Sequence, residues 1–272
     1  MDLQKLSSWA NSQLVESNHF KSSYSNLDLE NITQCIDLTT LNATDSLASV
    51  SQFVDSGLEL LTENNLPMVA AYCVFSNFTE LVTNKLVETS ISTACVATAF
   101  PHGQADLASK ILEVENAFKY GANDIDVVIN RGMVLDGDYD AMGKEIKAFS
   151  KASKTAHLKV ILEVCELNLE QVYLASKVAI ENGADFIKTS TGKGVSGASL
   201  EASLVMCLAI KEHFDSTQKM VGFKAAGGIS NCGNAMQYWN LVHHVLGNKW
   251  MNNQFFRIGA SSLLKNIIQE HK

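Results

Sequence analysis

The stretch DFIKTSTGKG, residues 185–194, begins as an apolar strand and ends in a turn rich in glycine and hydroxyl side chains. Lys188 interrupts the strand, and a second lysine, Lys193, stands in the turn. Glycine-rich turns this late in the chain, with others at 227–228 and 259, are typical of a barrel that builds its anion site after its last strands. A doubly wound open sheet usually carries such a turn after its first strand, which here leads into LTTLNATDSL without a glycine.

Eight strand-like runs alternate with amphipathic helical segments along the chain. Two of these segments, 106–121 and 169–183, end at a glycine just before the next strand, as a helix C-terminus does. Strand–helix alternation predicts a parallel sheet, and eight such units in about 240 residues match the size of a (β/α)₈ barrel. The strand-like runs occupy residues 35–41, 68–75, 92–100, 124–130, 158–164, 185–191, 221–227 and 255–261.

We therefore predict an α/β fold, a single-domain (β/α)₈ TIM barrel over residues 34–272. Residues 1–33 are polar, rich in Ser and Asn, and weakly helical in their spacing. They are expected to form an N-terminal leader helix that packs on the barrel. No Pro/Ser-rich linker or low-complexity tract marks a boundary between two domains within the barrel range.

The charge balance of the 272-residue chain excludes several classes of partner. The formal net charge is −8 and the pI is about 5.4, so phosphate backbones and anionic membranes repel the protein. No apolar run is long enough to span a bilayer, and the first residues lack the charged start and apolar core of a signal peptide. We therefore predict no nucleic-acid partner and no membrane partner.

Cysteines and histidines give no sign of a metal site. The six cysteines are scattered without a CxxC pair, and the seven histidines form no cluster with ligand spacing. Reduced thiols in a cytoplasmic protein are the simplest interpretation of this cysteine pattern. The sequence predicts neither a metal nor a cofactor.

Four charged residues, Lys188, Lys224, Asp126 and Asp37, interrupt four of the predicted strands. Because strand side chains alternate between faces and helices cover the outside of a barrel, these groups face either the helix layer or the mouth. Structural ion pairs would account for one isolated lysine. Two neighbouring lysines repel, however, so one loses its proton more easily and can attack a carbonyl, while the carboxylates move protons. The four residues are thus catalytic candidates for carbonyl chemistry through an imine.

Three late turns have the composition of an anion site. They are TGKG (191–194), AAGG (225–228) and GASS (259–262), and they offer backbone N–H groups, hydroxyls and an ammonium group. Segment 261–270 begins with two serines, which are suited to cap a helix whose free N–H groups face the ligand. Together the turns predict a cup for the phosphate group of a small ligand.

Six blocks of the sequence, taken together, resemble the deoxyribose-phosphate aldolase family. The resemblance runs in order from about residue 34 to residue 265, and the DFIKTSTGK block is highly specific to that family. The blocks are IDLTTLN (36–42), FPHG (100–103), DIDVVIN (124–130), GADFIKTSTGK (183–193), VGFKAAGG (221–228) and RIGASSLL (257–264).

The resemblance implies a class I, metal-free aldolase on a (β/α)₈ barrel. Such an enzyme interconverts 2-deoxy-D-ribose 5-phosphate with acetaldehyde and D-glyceraldehyde 3-phosphate, in deoxyribose phosphate catabolism. By motif position, Lys188 is similar to the Schiff-base nucleophile, and Lys224 to the second lysine, which activates it and joins proton transfer. Asp126 is similar to the carboxylate of the proton relay, which also contacts a substrate hydroxyl, and Asp37 to a supporting acid.

The resemblance also implies a small phosphosugar as the partner and a homodimer or a monomer as the assembly. Ala225 departs from the family, which commonly has proline there, and this is expected to loosen the loop after strand seven. The implied phosphate- and substrate-binding residues are Thr191, Gly192, Lys193, Gly227, Gly228, Gly259, Ser261 and Ser262.

Three other functions compete with the aldolase interpretation. A phosphosugar-binding barrel without aldolase chemistry, such as an isomerase or a sensor, has no need of Lys188. A nucleotide-dependent enzyme is disfavoured because Ile187 and Gly194 stand where a P-loop requires glycine and Ser/Thr. A zinc-dependent, class II aldolase is disfavoured because the sequence lacks a cluster with ligand spacing.

Overall fold

Eight parallel strands close into a barrel in the computed structural model of the chain, which describes Ser12 and residues 24–271. Each strand pairs with the next one along the chain, and the last pairs with the first. This closure confirms the predicted (β/α)₈ TIM barrel. The strands are β1 (Ile36–Thr39), β2 (Ala71–Phe75), β3 (Ser92–Ala97), β4 (Asp124–Val128), β5 (His157–Ile161), β6 (Phe186–Lys188), β7 (Gly222–Ala226) and β8 (Phe256–Ala260).

Helices alternate with the strands and cover the outside of the barrel. Most of them begin at a Ser, Asp or Asn whose side chain accepts a backbone N–H of the first turn. The helices of the described residues are α1 (Asn26–Thr33), α2 (Leu47–Glu63), α3 (Thr79–Leu86), α4 (Leu107–Lys119), α5 (Arg131–Leu135), α6 (Tyr139–Ser153), α7 (Leu169–Glu181), α8 (Leu200–Thr217), α9 (Cys232–Leu246) and α10 (Leu263–Glu270).

Several strands end earlier than the sequence predicts. Strand β3 ends at Ala97 because Thr98 and Ala99 adopt left-handed backbone, with φ of 66° and 55°. Strand β6 ends at Lys188 itself, where residue 191 was expected. The hydroxyl residues just beyond these points, Thr98 and residues 189–191, are buried, which explains why they have the composition of strand residues. They form the loops at the barrel mouth instead.

The interior of the barrel is divided into an apolar side and a charged side. Residues Ala71, Cys73, Ala94 and Val96, on β2 and β3, form a small hydrophobic cluster with Leu41. Charged side chains from the other strands lie together in the rest of the interior, beside the ring of Phe186, as described below. The mouth of the barrel is therefore flanked by apolar surface on one side and by ionisable groups on the other.

The predicted leader, residues 1–33, lies largely outside the described residues. Its described end forms α1, which begins at a capping box made by Ser25 and Asp28. Helix α1 packs against α9 and α10, and the Tyr24 hydroxyl donates to Glu270. The division of the chain into a leader and a barrel stays a prediction.

No helix among the described residues is long and apolar enough to cross a membrane.

Candidate active site

Lys188 and Lys224 lie side by side in the barrel interior. They are paired in register on β6 and β7, so their side chains leave neighbouring strands at the same level. Lys188 Nζ donates to Asp126 Oδ2 over 2.6 Å, and Lys224 Nζ donates to the same oxygen over 2.7 Å. One carboxylate oxygen therefore holds both ammonium groups, and the three predicted residues form one hydrogen-bonded unit.

Asp37 gives Lys224 a second carboxylate partner. Its Oδ2 accepts a short hydrogen bond from Lys224 Nζ, and its Oδ1 accepts from Arg257 Nη1 over 2.6 Å. Lys224 thus has two carboxylate contacts, whereas Lys188 has one among the described residues. The four predicted catalytic residues lie in one group, although their roles stay predictions.

A lower layer of charges continues this group toward the N-terminal ends of the strands. Arg257 Nη1 also donates to Asp124 Oδ2 over 3.1 Å, and Asp124 forms an ion pair with buried Lys159. His157 Nδ1 lies 3.0 Å from Asp124 Oδ1, at the edge of the layer. These residues were not predicted from the sequence. The same period-two alternation would have found them, because Asp124 and Arg257 each stand two residues before a predicted site position.

The buried charges of this network do not balance. Seven buried residues are joined by consecutive ion pairs, four of them basic and three acidic. Neutralising one lysine would leave three cations facing three carboxylates, which lowers the cost of keeping the group out of water. The basic members are Lys159, Lys188, Lys224 and Arg257, and the acidic members are Asp37, Asp124 and Asp126.

The electrostatic environment shifts the pKa values of two of the buried lysines in opposite directions. Burial disfavours the charged form of Lys224, but Asp126 and Asp37 hold its pKa above the ordinary lysine value. Burial lowers the pKa of Lys159, and Asp124 opposes that shift only in part. Burial also works against ionised Asp126, yet the Lys188 and Lys224 ammonium groups hold its pKa well below its usual range. Lys224 is therefore cationic and Asp126 anionic at neutral pH.

A cavity of about 230 Å³ opens directly above Lys188, at the carboxyl ends of the strands. Lys188 contributes to its wall although only 3% of the residue is exposed, while Lys224, Asp126 and Asp37 lie beneath. All eight residues predicted to bind phosphate line this cavity: Thr191, Gly192, Lys193, Gly227, Gly228, Gly259, Ser261 and Ser262. The structure thus brings the predicted anion cup and the lysine pair together, while the binding role of the cup stays a prediction.

Two glycines allow the cup to form. Gly227 has a φ of 88°, in the left-handed region. Its carbonyl oxygen would lie only 2.1 Å from a Cβ added at Gly197, so the two loops pack backbone against backbone. Gly259 leaves room beside the Lys224 side chain, whose Cε would lie 3.4 Å from an added Cβ. Close backbone packing of the last loops is what places several N–H groups around one small volume.

Helix α10 begins at the rim of the cavity. Ser262 is its N-cap, but its side chain makes no capping hydrogen bond. The N-terminal N–H groups of a helix attract anions through the helix dipole. The start of α10 therefore adds to the positive potential of Lys193 at this side of the cavity.

Sequence reasoning missed the polar lining that β1 supplies. Thr39 at the end of β1, and Thr40 and Asn42 just after it, form part of the cavity wall. Among the described residues, no group of three or more His, Cys, Asp or Glu side chains is placed to hold a metal ion.

The lowered pKa values of three buried carboxylates predict that the fold is less stable in acid. Asp37, Asp124 and Asp126 each have a pKa lowered by neighbouring cations despite burial, so each stabilises the native state above the unfolded pKa of about 3.9. That stability is lost as the pH falls toward the lower pKa values that these carboxylates have in the folded protein. We expect the free energy of unfolding to drop by on the order of a few kcal/mol between about pH 7 and about pH 3.

Urea unfolding at the two pH values measures this drop. The variant Asp124→Asn should show a smaller change, whereas Asp136→Asn, at an exposed position, serves as the control. An equal change in both variants would show that the buried network does not carry the acid sensitivity.

Fold and site together define the class of protein: a (β/α)₈-barrel enzyme whose charged residues and cavity meet at the carboxyl ends of the strands. The sequence pattern of the DeoC/LacD aldolase family matches residues 20–244. The chain belongs to this family of aldolases, which are carbon–carbon lyases.

Individual relatives agree with this assignment. Deoxyribose-phosphate aldolase of Mus musculus is 42% identical over 244 residues, which cover 85% of this chain and 77% of the relative. The Homo sapiens protein of the same name is 39% identical with the same coverage. Among solved structures, deoxyribose phosphate aldolase from Aeropyrum pernix superposes with a TM-score of 0.70 at 23% identity, covering 90% of this chain and 94% of that one. That likeness shows the shared fold.

Proposed function

We propose that this aldolase cleaves 2-deoxy-D-ribose 5-phosphate reversibly to acetaldehyde and D-glyceraldehyde 3-phosphate, through a Schiff base on Lys188. The names of the relatives at about 40% identity support the substrate. The observation that carries the mechanism is the position of Lys188: it lines the cavity and shares one oxygen of Asp126 with the cationic Lys224.

This arrangement supports Lys188 as the nucleophile. Lys224 keeps its proton because two carboxylates surround it, whereas Lys188 has one carboxylate contact and a cation beside it. A neutral amine is required for attack on a carbonyl. Of the network's lysines, Lys188 is also the one that lines the cavity.

The cleavage follows from this amine. Lys188 adds to the C1 aldehyde of the open-chain sugar, and loss of water leaves a protonated imine. Removal of the proton from the C3 hydroxyl then breaks the C2–C3 bond, because the imine accepts the electron pair as an enamine. D-Glyceraldehyde 3-phosphate leaves, C2 of the enamine is protonated, and water releases acetaldehyde and restores the amine.

Asp126 is placed to handle protons in these steps. Its Oδ2 accepts from both lysines, while its buried Oδ1 has no hydrogen-bond partner among the described residues. A buried carboxylate oxygen without a partner is costly unless a ligand or water satisfies it. A substrate hydroxyl, or a water that relays its proton, supplies that partner in the complex.

The glycine turns and the start of α10 are the proposed binding site for the phosphate group of the substrate. Lys193, the backbone of Gly227 and Gly228, and the Ser261–Ser262 pair surround the same part of the cavity. Charge-assisted hydrogen bonds from such groups bind phosphate strongly and fix its orientation. The carbonyl end of the sugar is thereby directed toward Lys188.

The remaining expectations are also proposals. All six cysteines are unpaired, which supports a reducing, cytoplasmic location. A role in deoxyribose phosphate catabolism follows from the proposed substrate. The assembly, expected to be a homodimer or a monomer, stays a prediction.

Assay of the purified chain with 2-deoxy-D-ribose 5-phosphate tests the proposal. We expect acetaldehyde and D-glyceraldehyde 3-phosphate in equal amounts, and an unchanged rate after exhaustive chelation of divalent metals. Binding of the phosphosugar without cleavage would instead support a sensor or isomerase. A rate that chelation abolishes and zinc restores would contradict the Schiff-base mechanism.

A further inference from the structure

Glu163 is a buried acidic residue that the proposed chemistry does not use. It follows β5, is 1% exposed, and lies outside the residues that line the cavity. No ion pair to Glu163 is present among the described residues. A carboxylate removed from water is retained in a fold only when hydrogen bonds satisfy it, so its partners indicate its role.

Thr191 supplies those partners. The backbone N–H of Thr191 donates to Glu163 Oε1 over 3.2 Å, and the Thr191 hydroxyl donates a short hydrogen bond to Oε2. Because the hydroxyl proton is committed to the carboxylate, the Thr191 oxygen is left as an acceptor, and it accepts the N–H of Lys193 over 3.0 Å. Glu163 therefore fixes the turn that carries the anion-binding lysine through two successive hydrogen bonds.

The backbone around Glu163 is shaped for this contact. Its φ is 58°, in the left-handed region that residues with a side chain rarely adopt. The next residue, Val164, donates its N–H to Thr189 O over 3.0 Å, so the turn after β5 is joined to the loop after β6. An added Cβ at Gly194 would lie 3.4 Å from the Glu163 carboxyl carbon, which shows how closely the loop passes over it.

We propose that Glu163 is a positioning residue for the phosphate end of the substrate, an inference that rests on the proposed function. It holds Thr191, Gly192 and Lys193 in the conformation that surrounds the anion. Among the described residues, its side chain has no hydrogen bond or ion pair to Lys188, Lys224 or Asp126. Its loss should therefore weaken recognition of the phosphate group and leave the chemistry at Lys188 intact.

The test compares substrates with and without phosphate. For Glu163→Ala we expect KM for 2-deoxy-D-ribose 5-phosphate to rise about tenfold or more with kcat changed less than about threefold. The value of kcat/KM for unphosphorylated 2-deoxy-D-ribose should change less than about twofold, since that sugar makes no phosphate contact. Glu163→Gln keeps an oxygen that can accept the Thr191 N–H, so its KM should fall between those of the wild type and Glu163→Ala.

Two outcomes overturn the inference: an equal loss of kcat/KM for both sugars, or an unchanged KM for the phosphosugar. If Glu163→Ala does not fold, the same comparison with Glu163→Gln decides the matter. Calorimetric titration with inorganic phosphate separates this inference from the proposed function. Weaker phosphate binding by the folded variant supports the positioning role even if the wild type fails to cleave the sugar, and unchanged phosphate binding contradicts it.

Discussion

We expect replacement of Lys188 by methionine to abolish aldol cleavage and to leave the protein at least as stable as the wild type. Methionine fills a similar volume without an amine, so no Schiff base forms, and turnover falls on the order of 10⁴-fold or more. Without Lys188, three basic residues remain opposite three carboxylates, and Lys224 still pairs with Asp126. The buried network then carries no surplus charge, so the usual penalty for disrupting a core ion pair is absent.

Steady-state turnover and urea unfolding measure the two parts of this prediction. Lys159→Met is the matched control, because it removes another buried cation of the same network without touching the cavity. It should retain measurable turnover. Residual activity of Lys188→Met within about tenfold of the wild type would contradict the assignment of the nucleophile.

We expect replacement of Lys224 by leucine to reduce turnover by about 10²–10⁴-fold and to preserve phosphate binding. Without Lys224, Asp126 has Lys188 as its remaining cationic partner and holds it in the ammonium form, which does not attack a carbonyl. Lys224 is not among the residues that line the cavity proposed to bind the phosphate group. The loss therefore appears in kcat, while the affinity for the anion end of the substrate is retained.

The pH dependence separates this explanation from a general loss of structure. If Lys188 is held protonated, the activity of Lys224→Leu should recover in part as the pH is raised, because higher pH releases the amine. Calorimetric titration with inorganic phosphate checks that the cup is intact. Near-normal turnover at neutral pH would mean that Lys188 is activated in another way.

The sequence predicts the barrel and its most distinctive residues for a simple reason. A charged residue in the middle of an apolar strand, such as Lys188 or Lys224, differs from its neighbours in polarity. It can therefore be recognised from a single sequence. Late glycine turns are equally visible, because the loops after the last strands of a barrel commonly build its anion site. These signals locate the lysine pair and the glycine turns that line part of the cavity.

Other parts of the site were missed for physical reasons. Asp124 and Arg257 lie near the starts of β4 and β8, where a charged residue is easily interpreted as a solvated strand end. Alternation along each strand places them on the same face as Asp126 and Gly259, but their pairing across the barrel follows from its closure, which brings Arg257 within 3.1 Å of Asp124. The proposed role of Glu163 depends on its left-handed backbone and on a hydrogen bond from Thr191, which is 28 residues away in the sequence. No local sequence pattern specifies either feature.

Covalent trapping tests the central claim most directly. The protein is incubated with acetaldehyde, reduced with borohydride and digested, and the peptides are weighed by mass spectrometry. Imine formation followed by reduction leaves one ethyl group on the reacting nitrogen, and we predict this gain on Lys188, with little on Lys224 and none in Lys188→Met. A gain on no lysine, or on surface lysines alone, would contradict the account.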